Sequence, residues 1–268
     1  MKKISVTLLS VCIALLSIAQ QKEGKVIYSR TMQMQARFSG GGNEALQQMI
    51  PKSRTDKFEL TFGNNQSIWK HIDEDDNTDE VSGNGMQIKM RGPALNDIVF
   101  HDFSNSKKIE LREMFDKNFL ITDSISKLNW KLTGETQTIL GHVCQRAVAQ
   151  RTGIRTQTSL ENGKIERKEV NDTTNIIAWF TTDIPVPAGP DLQGQLPGLI
   201  LELDMNNGRT VYKALEISTK ADLASIKAPS KGKKVSADEF VKERDKMLAE
   251  MQKNNQGSGN GRTFIRTF

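Results

Sequence analysis

Short runs in which apolar and polar residues alternate recur between residues 24 and 218, and their period is two. Val26, Tyr28, Arg30, Met32, Met34 and Ala36 fall on one side of residues 24–36, a mostly apolar set interrupted once by Arg30, and this predicts a long first strand. Gly40, Gly41 and Gly42 break it. Asn43 can then cap a short helix whose Ala45, Leu46, Met49 and Ile50 lie near one face before Pro51 ends it. Residues 57–62 and 66–72 predict a hairpin around Gly63, Asn64 and Asn65. Residues 98–103, 108–113, 119–122, 129–132 and 138–140 read as short strands separated by polar turns. Such spacing argues for an all-β, mainly antiparallel domain without βαβ units, either a single curved open sheet or a sandwich.

The rest is organised around residues 178–203, AWFTTDIPVPAGPDLQGQLPGLILEL. Residues 178–182 are aromatic and β-branched, as a half-buried strand requires. Pro185, Pro187 and Pro190 remove backbone donors from the next stretch and hold it extended outside any central strand. A proline-held loop of this kind is preorganised, which makes it a candidate contact surface. Pro197-Gly198 has the chemistry of a type II turn. Residues 199–205 then give the strongest strand pattern in the chain, followed by a hairpin through Asn206, Asn207 and Gly208. Two registers are open. A two-residue Asn207-Gly208 turn sets Glu202 opposite Lys213, whereas a bulged loop sets Leu203 opposite Val211 and makes the drier face, which favours the bulge.

Residues 194–200, GQLPGLI, together with Ala178-Trp179-Phe180-Thr181 and the Ile184-Pro185 to Gly189-Pro190 pattern before them, resemble the signature of the GLPGLI family of secreted proteins from Bacteroidetes-type bacteria. Gln195 stands where the first glycine of that signature would be. A second block, residues 130–136 with 141–147, is also similar to the family, with His142 where a tyrosine is usual. The resemblance spans roughly residues 24–220 and implies export and a β-rich fold; the family has no agreed biochemical function, so it implies no reaction.

Composition adds the address. Met1-Lys2-Lys3, an apolar run over residues 4–19 and the triplet Ser17-Ile18-Ala19 form a signal peptide with cleavage expected near Ala19-Gln20. The run is too polar for an uncleaved anchor, so no transmembrane segment is expected afterwards. Cleavage lowers Lys plus Arg from 37 to 35 against 32 Asp plus Glu, and net charge from +5 to +3, which is no nucleic-acid footprint. It also removes Cys12 and leaves Cys144 alone, so no intramolecular disulfide supports the fold. The organisation is therefore a signal peptide (1–19), a β-rich domain (20–220), and a linker, helix and tail (221–268). In that last part residues 229–234 read as a polar, basic linker, and Ser236-Ala237-Asp238-Glu239 is a capping box opening a helix to about Met251. Residues 262–268 could pair as an edge strand.

The chemistry is sparse. Three histidines, no G-x-S-x-G, no phosphate-binding glycine loop, no H-E-x-x-H and no C-x-x-C leave no assignable catalytic, cofactor-binding or metal set. His142 and Cys144, two apart on a strand, share a face and form the one candidate nucleophile pair, against the simpler reading of a small buried Cys144 and a His142 at the strand end. His101-Asp102 reads as a surface strand-end pair. Trp69, Trp130 and Trp179 read as core or rim packing on strands. The carboxylate-rich residues 73–85 have Thr78 and Asn84 where a calcium loop needs glycine and glutamate, so they read as a solvated acidic loop. The expected function is a non-catalytic envelope or secreted protein that binds another protein or supports an assembly, with the proline loop or the tail as its contact surface. The alternatives are a carrier of an apolar ligand such as a lipid, with Met32, Met34, Met49, Met86 and Met90 as an adaptable lining, and a Cys144/His142 hydrolase.

Overall fold

The computed structural model describes residues 21–34, 51–73, 79–83, 86–90, 95–161 and 164–256. The expected signal peptide, the helix near Ala45, Met49 and the strand at 262–268 lie outside them. Along the described chain run β1 (Gly24–Gln33), β2 (Ser53–Gly63), β3 (Gln66–His71), β4 (Asp79–Gly83), β5 (Met86–Met90), β6 (Ile98–Asp102) and β7 (Lys107–Met114). They are followed by β8 (Lys117–Ser124), β9 (Lys131–Ile139), β10 (His142–Glu161), β11 (Lys164–Thr181), β12 (Leu199–Met205), β13 (Thr210–Ser218), β14 (Lys233–Val235) and the helix α1 (Ala237–Gln256). Twelve strands form one open sheet in the order β14, β8, β7, β6, β3, β2, β1, β13, β12, β11, β10, β9. Every neighbouring pair is antiparallel except β14 with β8. One continuous ladder replaces the sandwich alternative. β4 and β5 form a separate two-stranded ladder, so Asp79–Gly83 of the stretch expected as an acidic loop is strand, and Met86 and Met90 belong to that ladder.

The alternation of β1 is realised: Val26, Tyr28 and Arg30 are buried on one side while their neighbours are half-buried. Across the ladder Tyr28 faces Phe58, and Val26 faces Leu60. Trp69 stacks on Phe58 with centroids 5.0 Å apart and touches Tyr28 and Tyr212. Burying aromatic and aliphatic side chains of this size stabilises by about 1.5–3 kcal/mol each. The face carrying these rings is the inner face. On the opposite face Ile68 and Phe100 are covered by Leu223 and Ile226, at either end of a 3-10 turn.

Three connections depart from the expected pattern. Residues 129–132 and 138–140 belong largely to the one strand β9, in which Gly134 at φ +81° marks a register shift against β10. The β12–β13 pairing sets Glu202 opposite Lys213 and Leu203 opposite Tyr212, so the bulged register is incorrect. Asn207 and Gly208 both take positive φ, as a two-residue primed turn needs, and the Lys213 amine lies 3.9 Å from Glu202. Finally, residues expected as linker supply β14, which pairs in parallel with β8. The capping box forms as expected: the Ser236 N–H donates to Glu239 Oε2 at 2.7 Å and the Glu239 N–H to Ser236 Oγ at 3.2 Å. Phe240 of α1 then packs edge-on against Phe119 of β8, centroids 5.4 Å apart.

β10 and β11 are much longer than their neighbours. They pair continuously from Gln145–Phe180 to Glu161–Lys164, yet β9 follows β10 only to Val148 and β12 follows β11 only from Ile176. From Thr152–Thr173 outward the hairpin is a two-stranded ribbon, roughly 30 Å long at 3.3 Å per residue, whose edges pair with no other strand among the described residues.

Candidate functional site

The segment between β11 and β12, residues 182–198, lies on the inner face of the sheet as a plug. Ile184, Val186, Ala188, Leu192 and Leu196 are buried, and Pro185 and Pro187 occupy the alternate half-buried positions. With its donors thinned by proline, the backbone bonds to itself: the Val186 N–H reaches the Ile184 carbonyl and the Ala188 N–H the Val186 carbonyl, at 2.8 and 2.7 Å, in successive three-residue turns. Ile184, Val186 and Ala188 join the core of Val26, Tyr28, Leu60 and Trp69, while Leu192 and Leu196 join that of Ala147, Ile176, Phe180 and Leu203. The loop is thus part of the core and not the exposed contact surface expected of it. A buried irregular segment must have its polar groups met, and it does. Tyr28 Oη donates to the Ile200 carbonyl at 2.6 Å, and Ser67 Oγ to Gln193 Oε1 at 2.6 Å. Gln195 Oε1 accepts from the Leu128 N–H at 3.0 Å and from Trp130 Nε1 at 3.1 Å. Trp130 therefore lies in the β8–β9 connection and not on a strand.

The signature glycines have separate reasons. Gly194 takes φ +79°. Gly198 does not take positive φ, so the expected type II turn is absent; a Cβ there would lie 2.0 Å from the Thr181 carbonyl oxygen, and only glycine permits that approach.

The proposed Cys144–His142 pair is not assembled for catalysis. The Cys144 side chain is in the core, its Sγ donates to the His142 carbonyl at 3.6 Å, and burial pushes the thiol up to about 11 against the pull of a backbone hydrogen bond from Ile139. His142 Nδ1 instead meets Asp183 at 3.3 Å. His101 is not on the surface. It is buried beside Phe103, opposite Ser67 on β3 and Lys108 on β7, and its Nδ1 has no hydrogen-bond partner. Burial, helped by Lys108, lowers it to about 4 and keeps it neutral. Asp102 binds Asn105 instead. Trp69 and Trp179 both border the core.

A polar belt that the sequence reading did not assemble crosses the same inner face. Arg30, the one interruption in β1, bonds Asp56 at 3.0 Å and lies over the Phe58 ring, and Arg54 bonds the other oxygen of Asp56 at 2.8 Å. Arg30 also donates to Tyr212, whose phenol burial pushes up to about 12. Arg151 of β10 meets Asp191 of the loop at 3.7 Å. On the other side Arg112 bonds Asp97 at 3.0 Å and also Glu110, which accepts Lys108 at 3.1 Å. Burial raises Asp97 to about 6 against the pull of Arg112. Four arginines and four carboxylates thus alternate across β7, β2, β1, β10 and the loop. The charge interrupting an apolar face was the available signal.

This architecture is a large, mostly antiparallel open sheet whose inner face is filled by its own signature loop. Residues 130–202, from the connection before β9 into β12, match the family model described as a protein of unknown function, Porph_ging. No curated protein matches. Among solved structures, PNGF-II in the C2 space group is similar at TM-score 0.50 and 18% identity, covering 82% of this chain and 32% of that chain. PNGF-II in the P21 space group gives TM-score 0.49 and 15% identity with the same coverage. The chain spans about a third of the length of that protein, and the likeness is one of fold.

Proposed function

We propose that this chain is an exported, non-catalytic protein of the GLPGLI type that binds another secreted or envelope protein. The compartment is the periplasm, the outer-membrane surface or the exterior. The observation that carries the reading is the filled inner face: Ile184, Val186, Ala188, Leu192 and Leu196 occupy the concavity an apolar ligand would need. That supports a binding or structural role over the lipid carrier. The buried Cys144, with its thiol raised to about 11, likewise disfavours the hydrolase.

The contact surface in this reading is the β10–β11 ribbon. Among the described residues it has no third strand on either side beyond Thr152–Thr173, and an isolated two-stranded hairpin is only marginally stable. An extended segment of a protein partner that adds a strand to one bare edge would complete it. Native mass spectrometry of the mature chain, residues 20–268, purified gently from the envelope of its own host, is the test. Extra mass equal to a second protein, absent when the ribbon is cut back to Thr152 joined to Thr173 through an Asn-Gly turn, is the expected result. A small non-protein adduct that leaves on denaturation would overturn the reading in favour of the carrier.

A further inference from the structure

Residues 220–268 hold 11 Lys and Arg against 6 Asp and Glu, whereas residues 20–219 hold 24 against 26. The mature protein's entire positive excess therefore belongs to its C-terminal part, an asymmetry typical of chains that meet an anionic surface. The fold brings part of this charge, Lys233, Lys234, Lys242 and Lys246, to one end of the sheet. β14 pairs with β8, α1 lies across them, and lysines from all three surround Glu239 and Glu243. Lys233 bonds Glu243 at 2.6 Å, with Lys117 and Lys246 beside it, and Lys242 stands next to Glu239. Lys231 and Lys234 are exposed on either side of Lys233. On the same helix Val241 is 42% exposed, one of five large apolar side chains exposed among the described residues, and Leu248, two turns on, is only half-buried.

We propose that the β14–α1 end of the sheet is an electrostatic docking surface for a membrane leaflet rich in anionic phosphate headgroups. Lysines at the rim draw the protein to the headgroups, and Val241 enters the layer between them. The apolar residue distinguishes this partner from a nucleic-acid backbone, which offers it nothing to bury against. The inference rests on the exported reading, because only an exported chain meets an outer leaflet, but it is independent of the ribbon.

The test is flotation of the mature chain with vesicles of phosphatidylcholine alone and of phosphatidylcholine with phosphatidylglycerol, at low and high salt. Binding only to the anionic vesicles, lost at high salt, is the expected result. Combined Lys231→Glu, Lys234→Glu and Lys246→Glu should lower partitioning at least about tenfold. The same change in net charge made remotely, with Lys22→Glu, Lys131→Glu and Lys213→Glu, should leave it within about twofold. Equal loss in both triple variants would make net charge the cause and overturn the surface. So would binding to neutral vesicles, no binding at all, or retention by duplex DNA without preference for vesicles. The mass of the protein recovered from its host reports removal of residues 1–19 separately, so an exported chain that ignores vesicles sinks this inference alone.

Discussion

Two neighbouring parts of the chain, the loop over residues 182–198 and the β10–β11 ribbon, invert the usual relation between regularity and burial. The loop has no regular ladder, four prolines and, at Gly198, a close backbone approach, yet it is among the most buried of the described parts. The ribbon is perfectly regular for ten pairs beyond the sheet and has no neighbouring strand among the described residues. Regular hydrogen bonding satisfies a backbone wherever it lies, but only apolar side chains give a reason for burial. The loop has these at every second position from Ile184 to Ala188 and takes bond partners from Ser67, Leu128 and Trp130.

The contrast can be broken most severely at Gly198. In G198A the new methyl meets the Thr181 carbonyl at 2.0 Å, and displacing the loop should cost more than about 4 kcal/mol or prevent folding, read from urea unfolding. Ile184→Ala should cost about 2–5 kcal/mol through the cavity it leaves. Tyr28→Phe strips the Ile200 carbonyl of its buried donor and should cost about 1–3 kcal/mol.

His101, opposite the Ser67 that anchors the loop, gives a pH-dependent effect. A folded value near 4 against 6.5 unfolded means its contribution is complete above pH 6.5 and is lost on acidification, by about 2 kcal/mol at pH 5. Asp97, near 6 against 3.8, has the opposite sign: its contribution is complete below pH 3.8 and is lost as pH rises through 6. Wild type should therefore change little between pH 7 and 5, whereas H101Q should gain roughly 1 kcal/mol over that interval in thermal unfolding. The smallest effect belongs to the ribbon. Cutting it at Thr152–Thr173 should alter stability by no more than about 0.5 kcal/mol, and a larger loss would mean that the ribbon supports the body.

Strands that bury one face announced themselves, as at β1, β2, β3, β6, β7 and β12, because burial writes alternation into the sequence. The ribbon left no such trace. Its residues are a mixture rich in Thr, Arg, Glu and Lys with no apolar alternation, and the remaining sign was the dipeptide Asn162-Gly163 between the paired Glu161 and Lys164. The β12–β13 register was misjudged because a drier face was weighed above turn chemistry, and Asn207-Gly208 decided it. The proline loop was legible as rigid but not as buried: prolines signal exposure only when the residues between them are polar, and here they are Ile184, Val186, Ala188 and Leu192. The candidate chemistry at Cys144 depended on side-chain direction and access, which spacing alone does not supply. The belt from Glu110 to Asp191 was out of reach because its members come from five distant segments.

The first strand lies in the middle of the sheet, between β2 and β13. Val26 pairs with Ile217, so the central ladder cannot close until two segments about 190 residues apart in the chain have met. Nascent chain up to that point has no template for its own centre. Acquisition of the native state is therefore late and slow, governed by the search over long sequence separations. A chain of this topology closes its centre last, after both halves of the sheet have been made.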